Sequence, residues 1–285
     1  MFRTLCCSFR LFTGLMLVLG VFGITTVRAQ ETGSARPVLD LEGNKIFSKE
    51  ELLDVPNKCL DQWLDSAYST EKLDYCLHNL TTYMQSKGYL QARLEKTLYN
   101  QTENGTKALI PVVEGPLFRV GNIEVKNAKV FTSAQIVDVI GLNPGDIADG
   151  EKLSKAMYEK IKEMYSNLGY IQYTAEITPQ FHVKEGAGEG VADISVSVDE
   201  GHQFKVRSIK FSGGDKTTLE QLQRELMLHD GEVYNSDLFR QSITRINDTG
   251  LYDPIDVNRD VDYKTDDEAA LLNLTIKLKK RVVTF

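Results

Sequence analysis

Cysteine is scarce in this sequence: of four cysteines, Cys6 and Cys7 fall within the first seven residues, and only Cys59 and Cys76 remain for a folded body. Histidine is as sparse, and His78, His182, His202 and His229 are scattered without the spacing of a metal site. No Gly-x-Ser-x-Gly occurs, and Cys59 has no histidine signature around it, so no nucleophile stands out. Gly186-Ala187-Gly188-Glu189-Gly190 is glycine-rich but lies between strand-like runs, where no helix start presents amides to a phosphate. Asp266-Asp267-Glu268 lacks the glycine and ligand spacing of a calcium loop and reads as a solvated hairpin tip. These absences give no catalytic residue, metal or cofactor, and they favour a binding protein over an enzyme. Positive charge is also short. The chain carries a net charge of −7, which argues against nucleic acid as a partner.

Long apolar runs are confined to the start. Arg3 and Arg10 precede the run Leu11 to Val27, and Val27-Arg28-Ala29 offers a processing site, the pattern of a secretory signal peptide over residues 1–29. An uncleaved anchor is the alternative, at the short limit of what spans a bilayer. Cys6 and Cys7 precede the apolar run and are not placed to accept a lipid at a cleavage point. Removal of the segment leaves 30 basic residues against 40 acidic, a net of −10. Export would place Cys59 and Cys76 in an oxidising compartment, where they either bridge or remain as two buried thiols on separate helices. A bridge would close a loop of about 17 residues and contribute about 3 kcal/mol.

What the sequence does hold is repetition. Phe118-Arg-Val120-Gly-Asn-Ile123-Glu-Val125 and Phe204-Lys-Val206-Arg-Ser-Ile209-Lys-Phe211 place apolar residues at the same offsets. Lys87-Gly88-Tyr89, Leu168-Gly169-Tyr170 and Thr249-Gly250-Leu251 recur with both glycine spacings equal to 81. Ser48 to Glu51, Thr132 to Gln135 and Thr218 to Gln221 fit the capping box that opens a helix. A second helix is expected before each glycine, with stripes Leu73, Leu77, Leu80, Met84 and Leu153, Met157, Ile161, Tyr165, and each glycine as its stop. A strand comes after each glycine, and then a period-two run: Ala108, Ile110, Val112; Ala192, Ile194, Val196, Val198; Leu272, Leu274, Ile276, Leu278. Each unit therefore reads β-α-α-β-β. The expected architecture is α+β, three units over residues 36–115, 116–201 and 202–281, each a three-stranded mixed sheet covered by two helices. The first unit is irregular: Pro56 is expected to interrupt its first helical region, with a short extra helix bearing Cys59 pinned to Cys76.

The order strand, two helices, Gly-Tyr, two strands, with Glu114-Gly115-x-x-Phe118 and Glu200-Gly201-x-x-Phe204 leading into the next unit, resembles tandem POTRA domains of the Omp85 family, which includes the bacterial outer-membrane barrel-assembly machinery. The resemblance covers about residues 36 to 281. It implies a periplasmic, outer-membrane-associated protein whose partners are unfolded outer-membrane β-barrel proteins and the barrel or lipoprotein components of an assembly complex. The third unit departs from the pattern: Leu278-Lys279-Lys280-Arg281 replaces the Glu-Gly-x-x-Phe linker, and no transmembrane barrel fits in Val282-Val283-Thr284-Phe285.

Such a scaffold offers exposed sheet edges, which accept an extended client as an added strand. The strand after each Gly-Tyr landmark is the edge to compare, because charges and proline blunt pairing. Leu90 to Leu98 carries Arg93, Glu95 and Lys96, and the third candidate carries Pro254, Asp256 and Arg259. Ile171-Gln172-Tyr173-Thr174-Ala175-Glu176-Ile177-Thr178 has only Glu176, and it is the expected client-binding strand unless the loop Gln180 to Gly190 shields it. Two other classes compete: a division-type single-pass POTRA protein, and a secreted adhesion or receptor ectodomain, which sequons at Asn79, Asn100, Asn104, Asn247 and Asn273 permit.

Overall fold

The structure is a computed structural model that describes residues 36–63, 69–103, 105–183 and 188–279. The expected signal segment, Asn104, Gly186, Lys280 and Arg281 lie outside the described residues. Each period-two run is the central strand of its own sheet: β4 (Gly105–Val113), β7 (Glu189–Asp199) and β10 (Leu271–Lys277). Side chains alternate across a strand, so Ala108, Ile110, Ala192, Val196, Leu272 and Leu274 all point to the covered face and are fully buried. The unit's first strand pairs parallel to the centre: β1 (Val38–Glu42) with β4, β5 (Leu117–Lys126) with β7, and β8 (Lys205–Ser212) with β10. A parallel pair needs a long crossover, which the helices supply. The antiparallel partners are β2 (Arg93–Leu94) and β3 (Leu98–Thr102) on β4, β6 (Thr174–Val183) on β7, and β9 (Val261–Asp266) on β10. These are three mixed sheets, each with a separate hydrophobic cluster beneath its helices.

The helices are α1 (Lys49–Asp61) and α2 (Thr70–Ser86) in the first unit, and α3 (Ser133–Ile140) followed by α4 (Gly150–Lys155) in the second. A π-helical turn (Ala156–Ile161) joins α4 to α5 (Lys162–Ser166) without a break. The stripe Leu153, Met157, Ile161, Tyr165 explains that turn. Steps of four residues drift about 40° per step around a helix of 3.6 residues per turn, and the wider π turn brings the stripe back to the core, where all four are buried. The third unit has α6 (Lys216–Gln223), α7 (Ser236–Asp248) and a short α8 (Val257–Asp260).

Three local expectations are corrected. Pro56 does not interrupt the first helix, and among the described residues no extra helix lies between α1 and α2; Pro56 lies buried inside α1, where it removes one ladder bond, and Cys59 sits one turn further along the same helix. Cys59 and Cys76 form a disulfide that ties α1 to α2, with Cα atoms 5.5 Å apart. Thr218 does not open α6. Asp215 is the N-cap and accepts from the Thr218 N–H at 3.0 Å, because a carboxylate three residues upstream is the stronger acceptor. The capping box expected at Thr132 is present with both of its bonds, whereas at Ser48 the side chain caps the Glu51 N–H. The sequon at Asn247 is spent internally: its carboxamide donates to the Ile255 carbonyl at 3.1 Å and accepts from the Ile255 N–H at 2.8 Å.

Candidate strand-pairing edges and the joints between units

The Gly-Tyr and Glu-Gly-x-x-Phe landmarks meet in space. Gly88 and Gly169 adopt φ of +91° and +86° and close their helices: the Tyr89 N–H bonds the Met84 carbonyl, and the Tyr170 N–H bonds the Tyr165 carbonyl. The carbonyl of each glycine then accepts an N–H from the next unit, Phe118 to Gly88 and Phe204 to Gly169, both at 2.9 Å. Phe118 and Phe204 are fully buried in the core of the unit ahead.

The glutamate of each linker serves the unit it ends. Glu114 accepts the N–H groups of Lys45, Ile46 and Phe47, all between 3.0 and 3.1 Å. Glu200 accepts from Lys129 and Val130 at 2.7 and 2.8 Å, and from the hydroxyl of buried Tyr165 at 2.8 Å. Burial pushes the Glu200 carboxyl up, but the two amides and the hydroxyl outweigh it and hold it below the ordinary carboxylate value. Each carboxylate thus pins the segment after its unit's first strand to the end of the central strand.

The joint between the second and third units has a further polar clamp. Asn167 donates to Asp237 at 2.6 Å and accepts from the Asp237 N–H at 2.9 Å, and Asn235 donates to the Asn167 carbonyl at 2.9 Å. Arg240 pairs with Glu163 across the joint.

The outer edges of β5 and β8 are partly covered. The Val120 N–H bonds the Asp146 carbonyl and the Val206 N–H bonds the Glu232 carbonyl, so the loop before the second helix occupies the start of each strand. The opposite edges, β6 and β9, have no strand partner beyond β7 and β10 among the described residues. On β6 the direction of the free groups can be read. The Tyr158 hydroxyl donates to the Ala175 carbonyl at 3.2 Å, away from β7. The His182 carbonyl instead faces β7, where a Cβ on Gly190 would come within 2.9 Å of it. In-plane directions alternate along a strand, so Ala175, Ile177, Pro179, Phe181 and Val183 turn their backbone groups outward. Pro179 falls on that row, where its missing N–H costs no ladder bond.

The strand expected over Ile171 to Thr178 is therefore displaced by three residues. Ile171 packs on the core of the third unit, and Gln172 donates to Asp267 at 2.9 Å. Tyr173 is buried, its ring stacked 4.5 Å from that of Tyr165, and its hydroxyl has no partner among the described residues. Burial pushes the Tyr173 phenol up. These three residues belong to a joint and a core. Thr174, Glu176 and Thr178 project from the outer sheet face, while Ala175 and Ile177 lean on the core.

The other two candidates differ as well. Pro254, Asp256 and Arg259 lie before the third edge strand, in a loop and in α8, and β9 carries Asp262, Lys264 and Asp266 instead. The run Leu90 to Leu98 is split, and β3 beyond it, Leu98-Tyr99-Asn100-Gln101-Thr102, has neither charge nor proline and is exposed throughout. Sequence reading missed β3, although Asn104-Gly105 is a hairpin signature that marks its end. Of the loop Gln180 to Gly190, Gln180 to Val183 extend β6 and Glu189 begins β7, so most of its described part is strand rather than shield. Among the described residues no group of His, Cys, Asp and Glu could hold a metal ion, and no helix is long and apolar enough to cross a membrane.

Comparison with known proteins adds to this geometry. The profile of the POTRA family, described as surface antigen variable number repeat, matches residues 118–201 and 204–281. The outer membrane protein assembly factor BamA of Neisseria meningitidis is 21% identical over 225 residues, covering 76% of this chain and 28% of the relative. That of Buchnera aphidicola is 25% identical over 205 residues, covering 69% of this chain and 32% of the relative. The chain thus spans about a third of the length of these curated relatives. Among solved structures, POTRA domains 3–5 of Haemophilus influenzae BamA align with a TM-score of 0.63 at 19% identity, covering 86% of this chain and 95% of that one. That likeness is one of fold.

Proposed function

This chain belongs to the POTRA family, and on that footing we propose that it is a non-catalytic periplasmic module that serves the assembly of outer-membrane β-barrel proteins. It captures extended segments of unfolded barrel proteins as an added strand on the free edge of β6, and it presents them to barrel or lipoprotein components of an assembly complex. The relatives' name, outer membrane protein assembly factor, supports the process. The observation that carries the mechanism is the outward row of β6: the Ala175 N–H, the Pro179 carbonyl and the main-chain groups of Ile177, Phe181 and Val183, which no strand occupies among the described residues. Backbone pairing is indifferent to client sequence, which suits a receptor of many different strands.

Ala175→Pro tests the reading. Ala175 has an outward N–H and a small side chain, so proline there removes an edge donor with little loss from the β6–β7 ladder or the core. With a photo-crosslinker at exposed Thr178, capture of an unfolded barrel client is expected to fall about tenfold while the circular dichroism spectrum is kept. Unchanged crosslinking in the folded variant refutes β6 as the capture edge. The bare edge of β3 favours a second reading, in which capture belongs to the first unit. Crosslinks from Tyr99 that survive Ala175→Pro would assign it there.

A further inference from the structure

The three sheets turn their uncovered faces to solvent with different charge. In the first unit Asp40 and Glu42 are matched by Lys107 and Arg93, a net of zero. In the second, Arg119 and Lys126 stand against Glu124, Glu176, Glu189, Asp193 and Asp199, a net of −3. In the third the sign reverses. Lys205, Leu271 and Asp266 form one cross-strand row, Ser208, Asn273 and Lys264 the next, and Lys210, Thr275 and Asp262 the third. With Arg207 at the bulge of β8 and Lys277 at the end of β10, five cations face two carboxylates, a net of +3. The chain as a whole is acidic, so this face is a local reversal of its charge.

Arg207 is held by Asp266 at 2.7 Å and Lys277 by Asp262 at 2.6 Å. The ammonium groups of Lys205, Lys210 and Lys264 make no ion pair among the described residues. Between them lie neutral donors. Asn273 accepts from the Ser208 hydroxyl at 3.1 Å through its oxygen, which leaves its N–H groups to donate outward, and Thr275 lies two residues on. Interface energy with a protein partner concentrates on Trp, Tyr and Arg anchors, and the one arginine of this face, Arg207, is already held by Asp266. Leu271 is the only large apolar side chain in these three rows, and it is half-buried already. A face with spaced cations, neutral donors and no free anchor matches a layer of phosphate groups instead.

We propose that the outer sheet face of the third unit, centred on Lys205, Lys210 and Lys264, docks on the headgroups of an anionic lipid surface. None of these residues lies on β6, so the proposal goes beyond strand capture and stands apart from it.

The exported protein, purified from its host, would be sedimented with vesicles of phosphatidylcholine alone and of phosphatidylcholine containing phosphatidylglycerol, at low ionic strength. Binding is expected only to the anionic vesicles and is expected to weaken with salt. Each surface lysine contributes about fivefold to such partitioning, so Lys210→Gln with Lys264→Gln should lower it about 25-fold. Lys216→Gln with Arg224→Gln removes the same charge from the first residue and the C-cap of α6 and should change it less than about twofold. Equal binding to both vesicle types overturns the proposal, as does equal loss from the α6 variant. Polyglutamate that binds more tightly than anionic vesicles and is weakened by the two lysine changes overturns it too, and assigns the face to an acidic protein.

Discussion

Truncation of Glu200 should open the second unit by a calculable amount. Its carboxylate accepts three donors, the N–H groups of Lys129 and Val130 and the hydroxyl of Tyr165. In Glu200→Ala the two amides, half-buried at the rim, regain water and lose about 1 kcal/mol each, whereas the Tyr165 hydroxyl, fully buried, is orphaned at about 2 kcal/mol. The loss totals about 4 kcal/mol. Tyr165→Phe alone should cost about 1.5 kcal/mol, and the double variant about 3 kcal/mol, because the orphan disappears with the hydroxyl. The one tryptophan, Trp63, lies in the first unit and does not report on this site. Amide hydrogen exchange on peptides from residues 150 to 183 does, and it gives the local opening energy. Because the carboxyl is held below its ordinary value, its contribution is complete above about pH 4.5 and vanishes as pH falls through the lowered value. Wild type and Glu200→Ala should therefore converge in acid. A loss under about 1 kcal/mol, or costs that simply add in the double variant, would refute the network.

Removal of the Cys59–Cys76 bridge, by reductant or by Cys59→Ala with Cys76→Ala, should destabilise the first unit by about 3 kcal/mol; an unchanged unfolding midpoint followed by Trp63 fluorescence would contradict this. The Lys107 and Lys49 ammonium groups beside Asp40 hold its carboxyl at about 2. Asp40→Asn should cost the first unit about 1 kcal/mol at neutral pH and nothing below about pH 2, since a depressed carboxyl stabilises only while ionised, and both lysines are half in water. Melting curves of the two proteins from pH 7 to pH 2 that stay parallel would contradict it. A Cβ at Gly169 would meet the Phe204 carbonyl at 2.9 Å and Val233 Cγ1 at 2.8 Å with φ at +86°. Gly169→Ala should therefore cost about 2 kcal/mol or more and change the angle between the second and third units, visible in small-angle scattering. Gly105→Ala, with φ of +111° and open space around it, should leave the scattering unchanged.

The parts of the fold that were legible in the sequence are those with a strict period. Central strands alternate because one face is covered and the other wet, and every residue of those runs within β4, β7 and β10 that was expected to be buried is buried. Helix ends were legible where a backbone position demands glycine, as at Gly88 and Gly169. Edge strands were not. A strand paired on one side with both faces partly wet has no apolar rhythm to set its bounds, so the second edge was placed three residues early and β3 was not seen. Tyr173 misled most, since an aromatic in a charge-poor run reads as strand, yet the ring completes the core beside Tyr165. Pro56 misled in the opposite direction: proline reads as a helix breaker, yet α1 runs through it with Pro56 buried.

The linkers carry more than connection. In Glu-Gly-x-x-Phe the glutamate stabilises the unit behind, the glycine turns with φ of +72° or +63°, and the phenylalanine enters the core ahead while its N–H bonds the carbonyl of the preceding Gly-Tyr glycine. Two short motifs per repeat thus fix where one unit meets the next, and the backbone joint is the same at both junctions. Side chains then make the junctions unequal. At the second, Asn167, Asn235, Asp237, Arg240 and Glu163 add hydrogen bonds and an ion pair between units. At the first, Ser86 stands where Asn167 does, 81 residues earlier, and its hydroxyl turns back to the Tyr83 carbonyl of its own helix. No side-chain hydrogen bond crosses that first junction among the described residues. The joint between the first and second units is made instead by one backbone bond and by the packing of α2 on α4, with Ile147 and Leu117 close against Gly88. The edge of β3 belongs to the unit before that joint, whereas the edge of β6 and the cationic face of the third unit belong to the two units that the polar clamp joins.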